Sequence, residues 1–148
     1  MSSFAQQIGE WASKTEARTQ AVYRRSVELL AEEMTKTQPQ GGRVPFQSGA
    51  LARSLLASTE GMPRTSAVPK SGSNVGIVLA RVRLDQPLWL GYQAIYARRQ
   101  NYGFVGADVL GRVFNQHGSY FLEDAISQWP RIVAQAARET QNAVEARK

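Results

Sequence analysis

Three observations predict an α+β fold: a small antiparallel sheet of two to four strands packed with a long N-terminal helix, a short middle helix and a C-terminal helix. Apolar residues recur at steps of three and four from Phe4 to about Thr37, and again from Phe121 to Ala136, the period of a helix with one buried stripe. Between them, short apolar runs are divided by Gly, Pro, Asn and Asp, which punctuate strands and turns. The chain has 148 residues, 43% of them apolar, enough for one domain to bury a core without disulfides or metal.

The first helix carries Phe4, Ile8, Trp11, Val22, Leu29, Leu30 and Met34 on its stripe, with charged residues between them. Ser2 or Ser3 can cap its start by accepting from orphan backbone N–H groups, and Pro39 with Gly41-Gly42 stops it. Between Trp11 and Val22 the stripe thins to Thr15, Ala17, Arg18 and Thr19. The first three turns are therefore expected to form an arm that packs against something other than this chain's own core. After a Gln/Gly/Pro loop over residues 38 to 47, a short helix is expected from Ser48, with Leu51, Leu55 and Leu56 inward and Arg53 outward.

Residues 60 to 74 offer little to bury and read as a mobile contact loop. The stretch "VGIVLARVRL", Val75 to Leu84, reads as a strand with Val78, Ala80, Val82 and Leu84 on one side and Leu79, Arg81 and Arg83 on the other. A turn at Asp85-Gln86-Pro87 leads either to a strand from Leu88 to about Tyr92 and then a helix, or to a hairpin partner over Tyr92 to Tyr96. Trp89, Tyr92, Tyr96, Tyr102 and Phe104 concentrate here and are expected in the core. Gly106, Gly111 and Gly118 divide the next stretch into a short strand or hairpin. From Tyr120 helical spacing returns, with Ser119 as cap, Glu123 and Asp124 at the positive end of the dipole, and Pro130 marking a kink or a second helix. The tail over residues 139 to 148 is expected to fray.

The chemistry excludes more than it suggests. No cysteine is present, so thiolate metal sites, thiol nucleophiles and disulfides are out. His117 is the only histidine and lies in a Gly-flanked "NQHGS" loop with no positioned serine, so it reads as a contact residue and only as a remote third choice as a hydrolase base. Glu32-Glu33 and Glu123-Asp124 are sequence neighbours, which point apart on a helix. Neither a P-loop nor a dinucleotide-binding spacing occurs, and no cofactor is expected. No apolar run approaches the roughly twenty residues that cross a bilayer, so no membrane partner is expected.

The net charge of +6 is not evenly spread. Residues 37 to 118 hold nine Lys/Arg against three Asp/Glu, and the flanking segments are balanced. Arg43, Arg53, Arg64, Lys70, Arg81, Arg83, Arg98, Arg99 and Arg112 form this excess. Converging, such side chains would hold phosphate by salt-sensitive attraction without reading sequence.

The stretch "VPFQSGALARSLLAS" resembles the Pro-x-x-(Thr/Ser)-Gly-x-Leu-(x-x)-Ser segment of the head-tail joining, or tail-completion, proteins of long-tailed bacteriophages, including neck and tail-terminator proteins. The matching positions are Pro45, Ser48, Gly49, Leu51 and Ser54, followed by Tyr96, Ala97, Tyr102 and Gly103, then Phe121, Leu122 and Ala125. The resemblance covers roughly residues 4 to 140 and includes the order of elements. It departs where "RRQNYG" stands in place of the usual acidic residue, and where "FVGADVLGRVFNQHGSY" exceeds the common connector.

This resemblance implies a non-enzymatic virion protein, assembled in the host cytoplasm. It would form a homo-oligomeric, hexameric ring between the capsid connector, or head-closure protein, and the major tail tube protein. Phe4, Ile8, Trp11, Pro45, Phe46, Arg53, Arg64, Lys70, Arg98, Arg99, Tyr102 and His117 are the expected contacts with neighbours. Arg64, Lys70, Arg81 and Arg83 are the expected non-specific contacts with DNA in the lumen. The alternative is a small basic DNA-binding protein, although no groove-reading motif is present.

Overall fold

The computed structural model describes residues 3–68 and 72–147 and shows an α+β fold. Helix α1 spans Phe4–Thr35, with Ser3 as its cap: the Ser3 hydroxyl accepts from the Gln6 N–H, and the Gln6 side chain accepts from the Ser3 N–H. A single 3-10 turn at Gln38–Gln40 follows, with Gly41 left-handed at its end. Helix α2 is only Ala50–Arg53, and strand β1, Leu55–Ser58, starts directly after it. Leu55 and Leu56 thus belong to a strand rather than to the expected helix, which a buried Ser54 closes by bonding back to the Leu51 carbonyl.

Strand β2, Trp89–Tyr92, pairs antiparallel with β1, Leu55 opposite Tyr92 and Ser58 opposite Trp89. Both outer edges of this sheet are covered. Asn74 holds the β1 edge with its side-chain amide, accepting from the Ala57 N–H at 2.7 Å and donating to the Ala57 carbonyl at 3.0 Å. On the β2 side, Ser66 bridges to Ala94 and donates its N–H to Gln93. The loop expected over 60 to 74 is therefore tied to the sheet at Ser66 and at Asn74.

The expected strand over Val75 to Leu84 is instead a short helix, α3, Val75–Leu79, followed by a turn. Val75, Leu79 and Val82 are buried and Val78 packs beside them; this i, i+3, i+4, i+7 spacing is that of one helix face, whereas a strand would have put Leu79 on the side opposite Val78 and Val82. With Asn74 occupying the β1 edge, the segment has no strand to pair with. Gln20 and Arg24 of α1 then strap the turn down, both donating to the Val82 carbonyl, while Gln20 also accepts from the Leu84 N–H.

Helix α4, Ala97–Tyr102, follows β2. Strands β3, Gly103–Ala107, and β4, Val113–His117, form a second, separate two-stranded antiparallel sheet, a hairpin, so the β-structure is two antiparallel pairs rather than one continuous sheet. Helix α5, Phe121–Ser127, and helix α6, Trp129–Glu145, are separated at Gln128, with Pro130 in the first turn of α6 where its missing N–H costs nothing. Ser119 does not cap α5. The N-cap position is Tyr120, left-handed at φ 49, and the capping oxygen comes from Asn101 of α4. Nor does the tail fray at Arg138: α6 continues to Glu145, held by Arg25 of α1 donating to Glu139 at 2.6 Å.

The core joins α1, α3, α5 and the β1/β2 sheet through Val27, Ala31, Met34, Leu55, Leu79 and Ala125. Tyr92 and Leu122 link it to a second cluster of Val44, Leu51, Ala94 and Phe121. The Tyr92 ring meets Phe121 edge-on at 5.2 Å and its hydroxyl donates to the Met34 carbonyl; burial pushes this phenol far above its ordinary pKa. Helix α6 lies on α1 through Leu29, Ile132 and Ala136. Of the aromatic residues expected in the core, Tyr96 and Tyr102 are exposed.

Candidate functional site

The sequence-predicted contact residues fall in separate places. Phe4, Ile8 and Trp11 stand on the N-terminal half of α1, where every residue from Ser3 to Thr19 is exposed. At ~1.5 Å per residue, about 24 Å of helix projects beyond the core. The thinning of the stripe thus coincides with a stretch of α1 that stands clear of this chain's own core.

Pro45 and Phe46 lie in the loop before α2, and the structure brings this loop against α4. A groove of about 440 Å³ is lined by Pro45, Phe46, Ser48, Gly49, Tyr96 and Gln100, among others. Gly49 shapes its floor. It is left-handed at φ 77, and a Cβ there would sit 2.6 Å from the Arg53 guanidinium and 3.2 Å from the Phe46 ring. Arg53 is exposed, as expected, and folds back over this glycine. The two stretches "PFQSGAL" and "YARRQ" thus share one surface.

Arg98, Arg99 and Tyr102 are exposed on α4. Arg99 lies over the Phe104 ring at 4.5 Å, the cation facing the negative π-surface. Tyr102 meets Tyr120 edge-on at 6.3 Å. Arg64 is exposed in the segment beside β2, and Arg81 in the turn after α3. Arg83 is bidentate on Asp85, so its charge is locally matched. Arg43 and Arg112 likewise face Asp124 and Asp108. Lys70 lies outside the described residues. His117 is exposed on β4, and no described side chain hydrogen-bonds to it. Among the described residues no three His, Asp or Glu side chains gather as a metal site, and no helix is long and apolar enough to cross a membrane.

The surface that sequence reasoning missed is the β3–β4 hairpin. Its two faces differ. One carries Phe104 and Phe114, 6.4 Å apart, each under an arginine. The other carries Val105, Ala107 and Val113 with nothing over them, together with Asn115 opposite Val105 and His117 at the root; Val105 and Val113 are about four-fifths exposed, at 77% and 81%. The tip presents Val109 fully and Leu110 largely to solvent, 102% and 74%. That tip is not slack. Asp108 accepts from the Leu110 and Arg112 N–H groups at 2.9 Å, and its own N–H donates to the Arg112 carbonyl.

The base is equally fixed. Ser119 and Tyr120 donate to the carbonyls of Gln100 and Asn101, and Gly118 runs so close to α4 that a Cβ would lie 2.6 Å from the Tyr102 carbonyl carbon. The signal in the sequence was the Asp108-x-x-Gly111 turn between two alternating runs. Reading it as a projecting element needed the knowledge that neither strand joins the first sheet.

Compared with known proteins, the chain matches no family model, no curated protein and no solved structure.

Proposed function

We propose that this protein is a structural component of a long-tailed bacteriophage. In this reading it closes with copies of itself into a hexameric ring at the head–tail junction or tail end, joining the capsid connector to the tail tube as the virion assembles. The observation that carries this reading is the β3–β4 hairpin: a rigidly rooted element whose uncovered face exposes Val105, Ala107 and Val113 beside Asn115, and whose tip exposes Val109 and Leu110. A two-stranded hairpin with both faces in water is marginal by itself, and contiguous exposed apolar surface marks an interaction site.

Two further features support it. The "PFQSGAL" and "YARRQ" stretches, which carry the resemblance to head-tail joining proteins, lie on a common groove beside the hairpin's root. Arg53, Arg64, Arg81 and Arg98 are exposed and form no ion pair among the described residues; in a ring they supply a sequence-blind contact with DNA in the lumen.

Electron microscopy and mass measurement of the purified chain, alone and with tail tubes or connectors, test the proposal. Rings alone, or rings seated on a tube or connector end, are expected. A chain that stays monomeric at high concentration and binds neither structure overturns it.

A further inference from the structure

The apolar stripe of the α1 arm belongs to a longer seam. Phe4, Ile8, Trp11 and Thr15 are spaced by four, three and four, and the same heptad runs on through Val22 and Leu29. Helix α6 covers that second half. It runs antiparallel to α1, from Arg131 beside Glu33 to Glu139 beside Arg25, with Ile132 and Ala136 packed on Leu29 and Val22. It stops where Val144 meets Arg18. Beyond that point the seam is open, with Phe4 77% and Trp11 66% exposed.

We infer that the open seam is covered by the arm of a second copy of this chain, lying antiparallel to the first across a two-fold axis. The inference rests on the preceding proposal only in that both require a second copy. Three features single out this occupant. The cover must be a helix of several turns, and among the described elements only the arm has such length free: α2 to α5 are one or two turns each, and α6 is already seated.

The side chains are complementary when the arms run in opposite directions. Phe4 then faces the small Thr15 of the other arm and Ile8 faces Trp11, whereas a parallel pair stacks Trp11 on Trp11. Ala5 and Ala12 flank one side and leave room for close approach, and Gln7 and Lys14 flank the other without like-charge conflict.

Direction also settles what happens at Arg18. A parallel partner would bring two α6 helices to the same level of the seam, while an antiparallel one keeps the two cores at opposite ends. It also sets the partner arm's N-terminus against the C-terminal end of α6, a favourable meeting of helix dipoles. A two-fold contact of this kind closes after two copies and leaves the hairpin free for other contacts.

The chain has no cysteine, so engineered thiols report on this contact alone. The variants Phe4→Cys and Thr15→Cys alter side chains exposed on the arm, and circular dichroism checks that both fold. Under mild oxidation of the full-length chain, a mixture of the two is expected to give a disulfide-linked dimer, and each variant alone none. In the antiparallel register, like positions lie eleven residues apart, about 16 Å at the helical rise, beyond the ~7 Å limit for a disulfide. Introducing Trp11→Asp into both should abolish the cross-link.

A dimer from Phe4→Cys alone would mean parallel arms and overturn the inference. So would an uncross-linked mixture whose native mass is still oligomeric; that result would leave the ring reading intact. An uncross-linked, monomeric chain would likewise overturn the inference, and would remove the ring reading as well only if that chain also failed to bind tail tubes and connectors.

Discussion

Asn101 shows how much one buried polar side chain can organise. It is 3% exposed, and its amide spends both ends on α5: the oxygen accepts from the Leu122 N–H at 3.0 Å, and the nitrogen donates to Glu123 at 2.8 Å. Its backbone carbonyl accepts from Tyr120, the residue held left-handed at φ 49, a conformation that non-glycine residues rarely adopt. Asn101→Ala leaves the half-buried Leu122 N–H of α5 without its acceptor and is expected to destabilise the fold by about 1–3 kcal/mol, read as a lower urea midpoint at unchanged slope. Asn101→Asp should not rescue it, because the new carboxylate faces Glu123. Nothing local in "RRQNYG" marks Asn101 as a cap, since its partners lie about twenty residues downstream. Gly49 was legible because a helix entry beside serine is a local demand.

The elements divide in the same way. Helix α1 and its exposed arm were readable because periodicity and a thinning stripe are properties of one segment. Helix α3 was not read: the run Val78, Ala80, Val82 and Leu84 alternates like a strand, yet the residues that pack inward, Val75, Val78, Leu79 and Val82, keep the i, i+3, i+4, i+7 spacing of a helix face, and Asn74 occupies the strand edge from outside the window. The hairpin was readable as two strands, but its detachment from the first sheet depends on Pro63, Met62 and Ser66 lying along β2.

Two predictions belong to this scale. Gly118→Ala would drive a methyl into the backbone at the end of α4 and should loosen the hairpin root, seen as faster amide exchange through β3 and β4 while α1 remains protected. The α1–α6 contact should be acid-sensitive. The hydrogen bond from Arg25 lowers the Glu139 carboxyl below its ordinary pKa, with help from Gln135. A depressed folded pKa contributes stability that is present above the unfolded value near ~4.3 and lost as pH falls through the folded one. The melting temperature should therefore fall below about pH 4 more steeply in the unaltered chain than in Glu139→Gln, which starts lower and titrates less.

For the whole molecule, the question is whether charge or apolar contact drives association. The basic excess of residues 37 to 118 is partly neutralised on the surface, with Arg43, Arg83 and Arg112 beside carboxylates and Arg99 on a phenyl ring. The hairpin's uncovered face and tip, by contrast, expose Val105, Ala107, Val109, Leu110 and Val113; Asn115 and His117 are the polar members of that face, and the tip's charges, Asp108 and Arg112, are paired with each other. Association through that face should survive ~1 M salt, where charges are screened beyond about 3 Å, and should weaken on cooling as apolar burial loses strength. Contact with DNA through Arg53, Arg64, Arg81 and Arg98 should do the opposite and fade steeply with salt. The double variant Val109→Asp/Leu110→Asp separates the two forces. Both side chains are exposed, so its melting temperature as a monomer should match the parent's, while the oligomer mass collapses at every salt concentration and DNA retention at low salt persists. Oligomers that dissolve in salt but tolerate both aspartates would mean that the guanidiniums, rather than the hairpin, hold the copies together.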